Sequence, residues 1–295
     1  MTEREAAAAA RNGAPPDEDR SNDDDDDDAD AGGGEESPSP PPSSVPKDTR
    51  DYSRIEYWDR RFETEEEYEW CGRFEDFRGL LVAALEGKKR VLVLGSGTSR
   101  LPFDLAAEKE ALLPELEEVV ATDLSAVAVE KMAARTLREE AEREEEEREG
   151  NDGDGDDGDG DGDEETAKQE KRKSKRARIT WQVADMLSLP FPDASFDAVI
   201  DKGVLDALFA GFGSPGGGGG GGSAGGGEKE QRRFDKWRPR ETAPLLWDSA
   251  QKALRESHRV LNPSGGCYVQ VSFEQPHFRR PFLDAPGLSL SLIHI

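Results

Sequence analysis

Residues 90–99, RVLVLGSGTS, decide the fold. Val91, Leu92, Val93 and Leu94 make the continuous β-branched and leucine run of a strand covered on both faces, as the central strands of parallel sheets are. Gly95 and Gly97 then remove side chains where the backbone has to turn tightly and where a ligand can come close. Three further units repeat the plan of an apolar strand with a polar tip: VVATDLS (119–125), WQVADMLSLPF (181–191) and FDAVIDKGVLDAL (196–208). Such units separated by helical patterns predict an α/β domain with a doubly wound, mostly parallel sheet. Helical spacing supports this, with Phe74, Phe77, Leu81 and Ala84 on one stripe and Leu246, Ala250, Ala253, Leu254, Ser257 and Leu261 on another. Asn262-Pro-Ser-Gly-Gly stops the second of these helices, and GCYVQVSF begins a fifth strand.

A glycine turn by itself does not choose its ligand. The dinucleotide fingerprint wants a third glycine three residues after the second, and Arg100 occupies that position. S-adenosyl-L-methionine has no pyrophosphate to seat. Its ribose hydroxyls call for a carboxylate at the end of the second strand, and its adenine amino group for one at the end of the third. Asp123 and Asp185 stand at those two places, which favours S-adenosyl-L-methionine over a dinucleotide. Either acid is also suited to capping a following helix, so capping stays open as a second reading for each.

With these residues in place, the chain resembles the class I, seven-strand methyltransferases that act on lysines of translation elongation factor 1-alpha. The likeness runs through IEYWDRRFETEEEYEW (55–70), LVLGSGTS, TDLS, VADMLSLPFPDASFD, DKGVLDALFAG and SFEQPHFRR (272–280). Inserts aside, it covers nearly all of 52–211 and 242–280. Its most specific part is the Lys-Gly-x-Leu-Asp-Ala element at 202–207, which methyltransferases in general do not share. The resemblance implies a Rossmann-like fold, S-adenosyl-L-methionine as cofactor, and transfer of methyl groups to a protein lysine, with elongation factor 1-alpha as the partner. It places cofactor contacts at Trp58, Phe62, Trp70, Gly95, Asp123 with Leu124, Asp185 with Met186, and Lys202; the glycine turn adds Gly97. Phe62 stands where the group commonly has tyrosine, so a hydroxyl is missing there. Tyr57, Trp58, Tyr68 and Trp70 are expected to line a channel for the incoming amine or to pack as a lid, and Asp201 and Asp206 lie where an amine can be held. No catalytic base is assigned. A small-molecule methyltransferase and a non-catalytic scaffold of the same fold remain as alternatives.

The formal net charge of −26 comes mostly from stretches that cannot build a core. Residues 1–50 hold 15 acidic against 5 basic residues and a Ser/Pro run, and are expected to be a disordered tail. Residues 139–165 hold 17 acidic against 2 basic, and 166–178 answer with 7 basic against 1 acidic. The 139–178 stretch and the glycine-rich 213–227 are expected as surface inserts in a domain spanning 51–283. DGDGDDGDGDGD (152–163) lacks the bidentate glutamate of a calcium loop, and no metal site is expected. KRKSKRAR (171–178) reads as the neutralising partner of the acidic run, so no nucleic-acid partner is expected. Cys71 and Cys267 have no pairing pattern and suit a reducing compartment. No apolar run long enough to span a membrane occurs, and the acid-bearing N-terminus resembles neither a signal peptide nor a presequence, so the cytoplasm is the expected location. Residues 290–295, LSLIHI, read as translated adapter sequence. On that reading 284–295 are a non-native tail and the sheet lacks its last two strands.

Overall fold

The computed structural model describes residue 46 and residues 48–151, 176–211 and 239–288. The acidic tail up to residue 45, the calcium-loop look-alike, most of the basic run, the glycine-rich insert and LSLIHI lie outside these residues.

Five strands form one sheet: β1 (Arg90–Leu94), β2 (Glu118–Asp123), β3 (Arg178–Val183), β4 (Ala198–Lys202) and β5 (Cys267–Val271). Their order is β3-β2-β1-β4-β5 and every pairing is parallel. Parallel neighbours need crossover connections, and helices supply them. α1 (Ile55–Thr64) and α2 (Phe74–Leu85) precede β1, and a single 3₁₀ turn, Thr49–Ser53, precedes both. α3 (Leu101–Ala111) joins β1 to β2, and α4 (Ala126–Asn151) follows β2. α5 (Val204–Gly211), α6 (Pro239–Thr242) and α7 (Pro244–Val260) lie between β4 and β5, and α8 (Pro276–Leu283) comes last.

Successive residues of a strand face opposite sides of the sheet. In β1, Val91 and Val93 join Leu81 and Leu85 of α2 and Leu101 and Leu105 of α3 in one core. Leu92 and Leu94 join Val199, Val260 and Leu261 on the other side. The four are at most 1 % exposed, which contributes roughly 1.5–3 kcal/mol per side chain. All six residues of the Leu246 to Leu261 stripe are buried. On the α2 stripe Leu85 takes the fully buried place and Ala84 is only half-buried.

Three boundaries differ from the sequence reading. α4 runs on to Asn151 and does not stop at Arg138. Its continuation is built of Glu and Arg, strong helix formers, with Arg135–Glu139 and Arg138–Glu142 pairs one turn apart. β3 already begins at Arg178, inside the expected insert, because Glu118 of β2 accepts hydrogen bonds from both Arg178 and Thr180. Residues 284–288, assigned above to a non-native tail, include Ala285 and Leu288, which are buried with Phe209, Leu246 and Phe282.

The chain reverses direction of travel across the sheet between β1 and β4. Strands added after β1 go to one side, and β4 returns to the other. Crevices open at such switch points beyond the carboxyl ends of the strands.

Candidate functional site

The site begins with the turn after β1. Its backbone is fastened to β2: the Ser96 N–H donates to Thr122 O (2.9 Å) and the Gly97 N–H to Asp123 Oδ2 (2.8 Å). Gly95 and Gly97 both have positive φ, +48° and +49°. A Cβ at Gly95 would lie 2.5 Å from Cγ2 of Val204, and one at Gly97 would lie 3.0 Å from Cζ of Phe62. The glycines therefore admit the side chains that wall the crevice as well as the turn itself.

Asp123 closes β2. Its Oδ1 accepts the Ser125 N–H at 2.8 Å. The capping reading goes to its neighbour, since Ser125 Oγ, at 3.3 Å, accepts the Ala128 N–H in the first turn of α4. Burial pushes the Asp123 carboxyl up to about 6, against the lowering effect of the N–H groups aimed at it. The N–H groups of Gly97, Leu124 and Ser125 favour its anionic form, and the carboxylate keeps acceptor capacity for a further donor.

A roof covers this floor. It consists of the 3₁₀ turn, α1 and the irregular chain 65–72, and carboxylates along it tie it down. Asp59 accepts from Ser125 Oγ (2.5 Å), and Glu65 from Thr98 Oγ1 (2.8 Å). Glu67 pairs with Arg135 of α4 (2.8 Å). Glu69 accepts from Ser99 Oγ (2.8 Å), the Arg100 N–H (2.7 Å) and Lys202 Nζ (2.7 Å). Under the roof, Tyr52, Trp58 and Trp70 touch one another with ring centroids 4.9–5.7 Å apart, and Trp58 stacks on Phe62 at 5.5 Å. The Trp58 indole N–H donates to Tyr52 O (2.7 Å), which locks the 3₁₀ turn to α1.

The cavity between roof and floor brings together Trp58, Phe62, Trp70, Gly95, Gly97, Asp123, Leu124, Met186 and Lys202, nine of the ten contacts expected from the sequence. Asp185 does not line it. Its side chain is exposed and accepts the Leu187 N–H (2.8 Å), making a local turn, while its neighbours Ala184 and Met186 form the wall. Lys202 lines the cavity, yet its ammonium donates to Glu69 and to Trp70 O (2.7 Å). Tyr68 joins the wall beneath the Arg61 guanidinium, whose carbon lies 4.3 Å from the ring centroid. Tyr57 stands outside the lining, edge-on to Tyr52 and Trp58.

The two aspartates that flank Lys202 are committed elsewhere. Asp201 is 0 % exposed and accepts the N–H groups of Val204 (2.8 Å) and Leu205 (3.3 Å) together with Tyr268 Oη (2.9 Å); burial holds its carboxyl at about 6. Asp206 pairs with Arg279 of α8 and accepts from Ser272 Oγ (2.7 Å) and the Phe273 N–H (3.1 Å). Cys71 lies beside it, its thiol pushed up to about 12 by burial and then by the Asp206 charge.

Sequence reasoning missed Tyr52, Glu65, Glu69, Val204 and Leu208. Glu65, Glu67 and Glu69 lie in the stretch quoted for the resemblance, but which of its carboxylates reach Thr98, Arg135, Ser99 and Lys202 depends on partners far along the chain that the stretch itself does not signal.

The residues present fit S-adenosyl-L-methionine. A buried carboxylate with spare lone pairs closes one wall, and Nε1 of Trp70, a buried donor without a partner among the described residues, sits in another. Apolar Leu124, Met186 and Leu208 supply surfaces for a flat base.

A family model described as "Methyltransferase domain" matches residues 160–210. The chain is 27 % identical over 238 residues to "EEF1A lysine methyltransferase 4" of Mus musculus, an alignment covering 80 % of this chain and 67 % of that protein. It is 25 % identical over 166 residues to "eEF1A lysine and N-terminal methyltransferase" of Homo sapiens, covering 56 % of this chain and 18 % of the other. Among solved structures, a protein titled as a SAM-dependent methyltransferase from Methanosarcina mazei superposes with a TM-score of 0.36 at 15 % identity, over 69 % of this chain and 61 % of that one.

Proposed function

We propose that this chain, an S-adenosylmethionine-dependent methyltransferase, methylates a lysine side chain of a protein, elongation factor 1-alpha. The observation that carries this reading is the likeness, over most of the chain, to proteins named as eEF1A lysine methyltransferases. The Lys-Gly-x-Leu-Asp-Ala element and the aromatic roof segment support it.

In this reading Asp123 accepts the two ribose hydroxyls, Leu124 and Met186 flank the adenine, and Gly95 and Gly97 leave room for the amino-acid end. The bound cofactor supplies a methyl group already activated on a sulfonium. The protein then has to bring a neutral amine into line with it, an orientation effect that reaches roughly 7–11 kcal/mol in well-aligned systems. A lysine amine with an ordinary pKa near ~10.4 is charged at neutral pH. A desolvating wall of Tyr52, Trp58 and Trp70 disfavours that charge and assists loss of the proton. Asp201 and Asp206 do not act as the base here, because each holds a helix or loop in place. With Cys71 and Cys267 both free, a reducing compartment suits the chain, and the cytoplasm is the location we propose.

The test is incubation of the protein with methyl-labelled S-adenosylmethionine and cell lysate, then with purified elongation factor carrying single Lys→Arg changes. Label is expected in the elongation-factor band, lost on one such change. Label confined to a small-molecule fraction would overturn the protein-lysine reading, and absence of label together with intact cofactor binding would favour a scaffold.

A further inference from the structure

Lys202 is 7 % exposed, and its ammonium is surrounded by acceptors that belong to the protein. An ammonium has three N–H donors. Glu69 Oε2 and Trp70 O each lie 2.7 Å from Nζ, and Gly72 O lies at 3.5 Å, so all three directions are taken by the chain 69–72. Glu69 in turn reaches past Lys202. Its Oε1 holds the Arg100 N–H at the start of α3, and its Oε2 holds Ser99 Oγ, which also accepts the Leu101 N–H at 3.1 Å. One carboxylate thus joins three parts of the fold: the roof, the end of the glycine turn and the end of β4. The residue after it is Trp70, whose ring forms a cavity wall against Tyr52 and Trp58.

We propose that Glu69 and Lys202 form the latch that closes the roof segment over the cofactor cavity, so that Lys202 is a positioning residue and not a direct ligand of the cofactor's carboxylate. A charge pair buried at this depth is strongly coupled, since removal of one partner leaves the other charge unmatched. The latch connects Trp70 to the turn through Ser99. Opening it frees the wall and loosens the floor together, which gives the cofactor its way in and out. This role is independent of which acceptor receives the methyl group.

Isothermal titration of the full chain with S-adenosylhomocysteine and with 5′-methylthioadenosine, which has the base and ribose but no amino-acid end, separates a latch from a ligand. Glu69→Gln, Lys202→Met and the double variant are compared by this titration and by hydrogen exchange. The latch predicts that each single variant weakens both compounds by the same factor, on the order of tenfold, and that the double variant is no worse than the poorer single. It also predicts faster exchange of the amides at 65–72 with unchanged protection of Val91 to Leu94. Weakening of S-adenosylhomocysteine alone by Lys202→Met, with 5′-methylthioadenosine and the 65–72 amides unaffected, would make Lys202 a direct ligand and overturn the proposal. So would a Glu69→Gln variant with unchanged affinity and exchange. That variant keeps the size of the side chain and carries the test by itself if Lys202→Met does not fold.

Discussion

At the scale of single residues, the chemistry of the site depends on carboxylates largely withdrawn from water. Asp123 and Asp201 are both held at about 6 by burial, well above the ordinary aspartate value of 3.8. For an acid raised in this way, the folded chain binds a proton in a window, from about 4 to about 6, where the unfolded chain has released it. The associated stability is present at low pH and is lost as pH rises through about 6. Cofactor binding runs the opposite way, because the anion is the better acceptor for ribose hydroxyls. Affinity for S-adenosylhomocysteine is therefore expected to fall as pH drops from 7 to 5. Asp123→Asn should bind more weakly at pH 7 and show little of this pH dependence, whereas Asp201→Asn should retain it; titration calorimetry across that range is the check. A wild-type affinity that does not change from pH 7 to 5 would show that the Asp123 carboxylate is used only by the backbone N–H groups of Gly97, Leu124 and Ser125. The glycines make a related point. Gly95 looks like a glycine for the ligand, but its nearest neighbour is the stiff β-branched side chain of Val204, so the first claim on that space is made by α5.

Among the elements, α4 and β5 show how neighbours redefine a segment. At 26 residues α4 is about 39 Å long, more than a sheet of five-residue strands requires. Its first half does a specific job, as Lys131 donates to Glu65 O (2.9 Å) and Arg135 pairs with Glu67, clamping the roof from the side. Exposed pairs of this sort contribute little singly; here they act together with buried ones on the same short chain. β5 pairs with β4 alone among the described residues and is half-buried along its length, unlike β4, which is buried throughout. The expected consequence is that amides of Cys267–Val271 facing away from β4 exchange with solvent faster than those of β1 by at least an order of magnitude. Equal protection in the two strands would mean that a further stretch of chain covers that edge.

For the molecule as a whole, the sheet and its helices carry the site; the charged insert follows α4 in the chain, and the glycine-rich insert follows α5, whose Val204 and Leu208 line the cavity. Arg176 lies close enough to Arg143 and Glu139 for their charges to act on it, so the two ends of the long insert come near each other. A chain lacking residues 144–174 and 213–227 is accordingly expected to fold and to bind S-adenosylhomocysteine within a few-fold of the intact protein, measured by calorimetry. Extending the first deletion back to Glu139 removes the partner of Arg100 and Arg135 and should weaken binding further. A large loss from the shorter deletion would place part of an insert in the site.

What the sequence determined by itself was whatever depends on local pattern. The run Val91 to Leu94 with its glycines specified a buried strand and a tight turn, the Leu246 to Leu261 stripe specified a buried helix face, and Asp123 marked the end of a strand. Each of these signals lies within a few residues of the structure it dictates. The tertiary structure decided which side chains meet across long separations. Glu69 and Lys202 are 133 residues apart, and nothing near either one in the chain announces the other. The same holds for Asp206 with Arg279 and for Val204 against Gly95. Asp185 shows the converse: a carboxylate at the expected strand end, turned outward by a hydrogen bond to its own loop. A side chain's partner depends on the path of the whole backbone, and periodicity carries no information about that path beyond the element it describes.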